Sequence, residues 1–390
     1  MKLSKFITLF NMLKKFICVK IIFPSIYIFF VTLKKVKNRK IVCDAKNNPS
    51  DEKSLKDLID KIDKTRNFDC YLTNSIKTKI KNIKYIKFIA DAKFIIITNQ
   101  NTILDNLPIR KETIIINLWH GCGAFKKFGC ASFNTEWGNK RQKLSNSLYH
   151  FYSSIDIFTV SSPFVIPFYC EAINHSVEEN IIRPIGIPRT DVFFDEVFIS
   201  TARNNLEKII NYNKNKKIIL YAPTFRGNNI DDAVIPNFLD LNEMHKNFHE
   251  EYILIIKHHP ATKNKQEIPE NLSNFAFDLT NICNINELIP CTDILISDYS
   301  SLIFEYSLFE KPMIFYGPDI DRYNEDRGFF IDYFSMIPGP LCRINEELIN
   351  CIKNIDSYDI AKIRSFKEKF MSSCDGHATE RLIEIMENMQ

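Results

Sequence analysis

The sequence predicts an α/β protein made of two parallel-sheet domains, the second starting near residue 201. Three observations carry this reading. Short apolar runs alternate with helical stretches, the alternation begins afresh near residue 204, and polar residues follow several of the apolar runs directly. Strands that alternate with helices favour parallel sheets. Open α/β sheets bind ligands beyond the carboxyl ends of their strands, so polar residues at those ends suggest a cleft between the domains.

Residues 1–40 stand apart from both domains. They hold ten Lys/Arg and no Asp/Glu, while the other 350 residues hold 41 Lys/Arg against 47 Asp/Glu, so the net charge of +4 comes entirely from the N-terminus. A nucleic-acid binder spreads its basic residues over a folded domain, and no nucleic acid is implied here. The basic residues instead flank two apolar stretches, Phe6–Leu13 and Phe16–Leu33, the second interrupted by Lys20 and Pro24. A spanning helix needs ~20 mainly apolar residues, and no small-residue cleavage site marks a signal peptide. An interfacial segment on the cytoplasmic face of a membrane, held peripherally, is the expectation, with a single span as the alternative. Each Lys or Arg near an anionic leaflet adds ~1 kcal/mol of attraction.

Residues 41–200 form the first domain in this reading. Within 51–65, Leu55, Leu58, Ile59 and Ile62 recur at helical spacing. Phe94–Thr98, Thr113–Leu118 and Ile155–Val160 read as buried strands, and Gln142–Phe151 as a helix. Residues 201–390 form the second domain. Its strands are Lys217–Ala222, Tyr252–Lys257, Ile294–Ser297 and Pro312–Tyr316, and its helices include Asn286–Cys291 and Ser301–Phe309. A hydrophobic content of 45% is enough to bury real cores. The eleven cysteines show no C-x-x-C spacing, so a disulfide framework or zinc site is not implied and a reducing compartment fits.

Several strand ends carry chemistry. His120, in Trp119-His120-Gly121, follows the strand that ends at Leu118. Near neutral pH an imidazole there can accept a proton from an attacking hydroxyl, although a loop histidine with a structural hydrogen bond gives the same pattern. Arg226 closes Tyr221-Ala222-Pro223-Thr224-Phe225-Arg226 and either grips a phosphate or lies on the surface. Lys257-His258-His259-Pro260 either binds a diphosphate or caps a turn. Ile296-Ser297-Asp298-Tyr299-Ser300-Ser301 joins a strand to a helix. A helix start offers free N–H groups to a phosphate, yet Asp298 or Ser300 also suits a simple N-cap. Ser301 and Glu305 share a helix face, which puts Glu305 within reach of a ribose. Arg327 is a second candidate phosphate ligand. Asp319-Ile320-Asp321 matches a D-x-D pattern but reads as a loop with solvated carboxylates, and no metal or cofactor is implied.

In order, NLWHG (117–121), GIPRTDVFF (186–194), ILYAPTFRG (219–227), IIKHHP (255–260), ISDYSSLIFEYSLFEKPMIFYGPDIDRY (296–323), RGFFIDY (327–333) and PGP (338–340) resemble the CDP-glycerol glycerophosphotransferase family, which includes teichoic acid primases and polymerases. The resemblance covers about residues 85–385. It implies a GT-B fold, two Rossmann-like domains across a cleft, with the acceptor on the first domain and the CDP-linked donor on the second. His120 then matches the base and His259 the histidine that engages donor phosphate. Arg226, Asp298, Ser300, Ser301, Glu305 and Arg327 fall at donor positions. Trp119, Gly121, Lys126 and Arg189 fall at the acceptor side or the cleft.

The implied reaction moves glycerol phosphate from CDP-glycerol to a hydroxyl of a lipid-linked or polymeric acceptor, teichoic-acid-like or capsular, with release of CMP. CDP-ribitol as donor, or a glycosyltransferase using a nucleotide sugar, are the alternatives. The family commonly reads WHGTPLKK where this chain has Trp119-His120-Gly121-Cys122-Gly123-Ala124-Phe125-Lys126-Lys127, and the altered loop is expected to line the acceptor side. Glu305 stands where Asp is common.

Overall fold

The computed structural model describes residues 2–45, 49–65, 68–73, 79–135, 140–176, 180–227, 233–259, 262 and 266–390. It contains two six-stranded sheets whose paired strands all run parallel. The first comprises β1 (Lys37–Asp44), β2 (Asp69–Thr73), β3 (Ala92–Ile97), β4 (Ile114–Asn117), β5 (Ile157–Thr159) and β6 (Ile182–Arg183), in the order β2-β1-β3-β4-β5-β6. The second comprises β7 (Lys217–Ala222), β8 (Tyr252–Ile256), β9 (Ala276–Asp278), β10 (Ile294–Ser297), β11 (Met313–Tyr316) and β12 (Leu341–Cys342), in the order β12-β11-β10-β7-β8-β9. The second order is that of a doubly wound nucleotide-binding sheet, which reverses direction between β7 and β10.

The strands are apolar because both faces are covered. Tyr252 to Ile256 on β8 are all buried. Along β7, Ile219 and Tyr221 face one core while Ile218 and Leu220 face another. That second core runs on into the first half, where it takes in Phe125, Phe158 and Tyr169. The two halves therefore share apolar packing. The pairing of Ser297 with Ala222, and of Tyr221 with Ile256, keeps the ends of β10, β7 and β8 level, so the loops after them gather at one edge.

Two features depart from the sequence reading of the chain's ends. β1 begins at Lys37, inside the stretch read as the membrane segment, because Ile41 to Ala45 are needed to cover the first sheet. The last helix, Ala378–Asn388, returns to the first half, where Leu382, Ile383 and Met386 pack beneath Ile41, Phe94 and Ile96. Asp191 caps that helix by accepting from the Ala378 and Thr379 amides at 3.1 and 2.8 Å.

The N-terminal segment is a helix from Lys2 to Ile17, a wider π-turn at Cys18–Ile22, and a second helix from Phe23 to Leu33. Pro24 lies in the first turn of the second helix, and its missing N–H accounts for the widened turn before it. Cys18, Val19, Phe23 and Tyr27 pack into the first half. Arg110 Nη2 ties the helix end down by donating to the Val31 and Lys34 carbonyls at 2.7 and 3.0 Å. Phe10, Leu13, Ile17, Ile21, Ile28, Phe29 and Leu33 remain exposed.

Candidate active site at the facing strand ends

β4 ends at Asn117, and its side chain makes the turn that follows. The Trp119 amide donates to Asn117 Oδ1 at 2.8 Å, and Trp119 takes a left-handed backbone with φ of 56°. Such a conformation in a bulky residue costs on the order of 1–3 kcal/mol and persists only where its surroundings hold it. Trp119 is held by ring contacts with Phe128, Tyr152 and Phe158. The turn carries His120 out to an exposed position, with Nδ1 at 3.2 Å from the Thr98 carbonyl oxygen. A carbonyl only accepts, so Nδ1 carries the hydrogen in the neutral ring and Nε2 the lone pair. Asn117 opens the NLWHG motif but was given no role there, and no motif pointed to Thr98. The one trace of them is a polar residue at the end of each apolar strand.

The residues after His120 enter the second half. A β-carbon built on Gly121 would stand 3.6 Å from Ser301 Oγ, so the base loop lies against the start of the Leu302–Ser307 helix. Gly123 has φ of 60°, and a β-carbon there would come within 2.3 Å of the Phe304 ring. Cys122, Ala124 and Phe125 are buried, with Phe125 enclosed by Phe304, Tyr333, Phe366 and Phe370. The expectation that Cys122–Phe125 lines the acceptor side is therefore corrected. These residues form the apolar seam between the halves, where a shape match to Phe304 outweighs any contact with substrate.

Lys126 also moves. Expected at the acceptor side or the cleft, it pairs with Phe329 of the second half in a short antiparallel bridge. The Lys127 amide donates to the Gly328 carbonyl at 3.1 Å, and the Phe330 amide to the Phe125 carbonyl at 2.8 Å. Burial pushes the pKa of the Lys126 ammonium down to about 8, an effect that the charge of Asp298 opposes and those of Arg327 and Arg226 reinforce.

On the second half, the loop after β7 brings Arg226 against two carboxylates. Its Nε and Nη2 donate to Asp319 at 2.6 and 2.8 Å, and Nη2 also donates to Asp298 at 2.9 Å. The guanidinium lies 5.1 Å from the Tyr299 ring and 5.2 Å from Tyr323. Asp298 is buried and also accepts from the amides of Thr224 and Tyr299 at 2.7 and 2.6 Å. Arg226 thus has its fork occupied within the protein and organises the loop ends at the point where the strand order reverses. The reading of Asp319 as a solvated carboxylate is corrected by this pairing, while Asp321 pairs with Arg343 at 2.6 Å on the surface.

The other donor candidates sort by exposure. His258 is buried, 6.2 Å from the Tyr221 ring, and Lys257 donates to the Thr280 carbonyl. Only His259 of that triplet is exposed, its ring 5.2 Å from Phe225. Burial together with Lys126 and Lys257 holds its pKa below the ordinary histidine value. The Arg327 guanidinium lies 5.8 Å from the centroid of the same Phe225 ring, and burial lowers its pKa to about 10. Ser300 Oγ accepts from the Leu302 amide at 3.3 Å, and Ser301, the N-cap position of the helix, is exposed beside Gly121. Glu305 is buried and pairs with Arg189, so it does not present a carboxylate to a ribose as expected from helix spacing alone. Helix periodicity identifies a face without saying what covers it.

Arg189 also lines two adjoining open pockets, the larger of them bordered by Lys53 and Asp57 of the first half and by Asn284 and Asn286 of the second. The smaller is bounded by Trp119, Thr98 and Leu118, which puts both Trp119 and Arg189 at the cleft.

Two doubly wound sheets with a shared cleft, and with their polar loops at facing strand ends, define the GT-B class. Within it, the chain belongs to the CDP-glycerol:poly(glycerophosphate) glycerophosphotransferase family, which matches residues 31–388. The chain is 38% identical to a teichoic acid poly(ribitol-phosphate) polymerase of Bacillus spizizenii over 76% of its own length and 46% of that protein. It is 33% identical to a teichoic acid glycerol-phosphate primase of Bacillus subtilis, over 83% of its length and 80% of that protein. The chain thus spans about half the length of the polymerase and most of the primase. The wall teichoic acid polymerase TagF has the same fold, with a TM-score of 0.76 over 100% of this chain and 98% of that one, at 22% identity.

Proposed function

We propose that this protein transfers a polyol phosphate from a CDP-polyol to a hydroxyl of a teichoic-acid-like or capsular polymer and releases CMP. The observation that carries the reading is the meeting of two motifs. The loop bearing His120, its Nδ1 held by Thr98, lies against Ser301 at the edge where His259, Arg226 and Arg327 gather. A hydroxyl approaching from the Trp119 side meets Nε2 of His120, which takes its proton as the oxygen attacks the phosphorus bonded to the polyol. The bond to the CMP phosphate oxygen breaks, and CMP leaves with that electron pair. Charge on the transferring group is met by positioned donors on the second half. Arg226 acts by holding Asp298 and Asp319 in place.

The test is a donor panel. Purified protein with a polyol-phosphate acceptor is expected to release CMP from a CDP-polyol, and no release from any CDP-polyol overturns the reading. Release of a nucleoside diphosphate from a nucleotide sugar would move the protein to conventional glycosyl transfer. CDP-ribitol is the second donor reading, favoured by the greater identity to the ribitol-phosphate polymerase, 38% against 33%. Rates on the two donors decide between them.

The N-terminal segment supports peripheral attachment at the cytoplasmic face. Its 24-residue apolar stretch, Phe10–Leu33, is long enough to cross a bilayer, yet one face is docked on the first half through Phe23 and Tyr27. Phe10, Leu13, Ile21 and Phe29 are exposed, as is Lys14, which suits a helix lying in the headgroup region. Release from membranes by alkaline carbonate is the expected result, and retention points to a span.

A further inference from the structure

We propose that the two pockets beside Arg189 bind the acceptor's second polyol, the one behind the polyol whose hydroxyl attacks, with Asn286 of the second half and Thr379 of the last helix completing the site. This rests on the CDP-polyol reading of the site. The pockets adjoin and share Ser54, Leu58, Pro188 and Arg189. The inner one is walled by Trp119 and Thr98, and the Thr98 carbonyl oxygen lies 3.2 Å from His120 Nδ1. The outer one runs from Lys53 and Asp57 of the helix Pro49–Thr65 to Asn284, Asn286 and Thr379. Neither is lined by Arg226, His259, Ser300, Ser301 or Arg327, so the pockets lead to the base without crossing the donor groups. Lys53 Nζ donates to Glu287 at 2.5 Å, which ties the walls of the outer pocket together across the two halves.

Two residues that line the outer pocket carry buried polar atoms with no partner among the described residues, Arg189 Nε and Thr379 Oγ1. Arg189 commits Nη2 to Glu305, and Thr379 is only 4% exposed. Buried polar atoms are nearly always paired, so two unmet ones at one pocket mark where a polar ligand belongs. The lining gives its chemistry. Lys53, Lys61 and Arg189 each have a carboxylate beside them, Glu287, Asp191 and Glu305, and Asp57 adds another. The outer pocket therefore has no surplus of positive charge, which suits a hydroxyl-bearing polyol better than a diphosphate. An amide and a hydroxyl both donate and accept, so Asn286 and Thr379 match polyol hydroxyls. Arg189, shared by both pockets, has Nε left for an oxygen of the phosphodiester that links the two polyols. Leu55, Leu58 and Leu118 wall the inner pocket against the carbon chain. Burial pushes the Asp57 carboxyl above its ordinary pKa, in keeping with a site partly shielded from water, where hydrogen bonds weigh more.

The experiment measures CMP release by the purified full chain from a CDP-polyol, with synthetic acceptors that carry one or two polyol-phosphate units on the same anchor. Wild type is expected to show a KM about tenfold lower for two units than for one, with kcat within about twofold. Thr379→Val keeps the branched shape and removes the unmet hydroxyl, so its thermal unfolding should come no earlier than that of wild type. It should raise KM for the two-unit acceptor about fivefold and so shrink the advantage of the second unit. Asn286→Ala should shrink it likewise. A role confined to structure would lower the unfolding temperature and leave the ratio of the two KM values unchanged. Equal KM for one and two units in wild type overturns the subsite and leaves the donor reading standing. A wild-type KM ratio in Thr379→Val or in Asn286→Ala does the same, and would assign Thr379 to a bound water alone. If Thr379→Val does not fold, Asn286→Ala decides alone. No CMP release from any CDP-polyol overturns the donor reading and the subsite with it.

Discussion

The Nδ1 of His120 lies 3.2 Å from the carbonyl oxygen of Thr98, the residue that follows β3, so a neighbouring strand sets the tautomer of the candidate base. His120→Ala removes the base and is expected to lower CMP release by on the order of 10²–10⁴ while far-UV circular dichroism stays unchanged. Thr98→Ala keeps the carbonyl and is expected to retain turnover within about threefold, because only hydroxyl contacts are lost, the bond donated to Asp51 and the one accepted from Asn99 Nδ2. Equal losses in the two variants would place the control elsewhere.

Arg189 and Glu305 form a buried pair between the chain that links the halves and the Leu302–Ser307 helix. Removing one partner leaves a buried charge, and Glu305→Ala is expected to cost about 3–5 kcal/mol in urea unfolding. The double variant Arg189→Met with Glu305→Leu should recover much of that loss. A double variant no more stable than either single one contradicts the pairing argument.

Gly123 and Gly121 make opposite predictions. Gly123→Ala forces a side chain into a left-handed backbone and into the Phe304 ring, and is expected to lower stability by about 2–4 kcal/mol. Gly121→Ala meets Ser301 Oγ at an ordinary contact distance of 3.6 Å and should fold normally. Thermal unfolding of both proteins checks the contrast.

The carboxylate of Asp319 gives a pH prediction. Burial alone would raise its pKa, but the hydrogen bond and charge of Arg226 hold it below the ordinary 3.8. A carboxylate with a depressed folded-state pKa binds fewer protons folded than unfolded. Its contribution to stability is present above pH 3.8 and fades as pH falls through the lower folded value. Asp319→Asn should therefore be less stable than wild type above about pH 4, with a gap that narrows on acidification. A gap constant from pH 3 to 6 would show that the ion pair contributes nothing.

Much of the fold was legible because parallel strands are buried on both faces and read as short apolar runs. β7 and β10 matched their expected bounds, and β3, β8 and β11 lay within a residue or two. β1 was not legible, since its first residues, Lys37-Asn38-Arg39-Lys40, share the basic composition of the segment before it. The final helix looked like part of the second half because sequence order carries no information about which sheet a returning helix covers.

For the site, the sequence by itself determined which residues stand at strand ends, since a polar residue after an apolar run marks the edge where ligands bind. His120, Arg226, His259 and Ser301 were found that way. Only the tertiary structure decided what each one faces. It turned Arg226 towards Asp298 and Asp319, buried Glu305 against Arg189, and joined Lys126 to Phe329 of the second half through a main-chain bridge. These outcomes depend on contacts between residues up to about two hundred positions apart, such as Lys126 with Phe329, and no local periodicity encodes such a pairing.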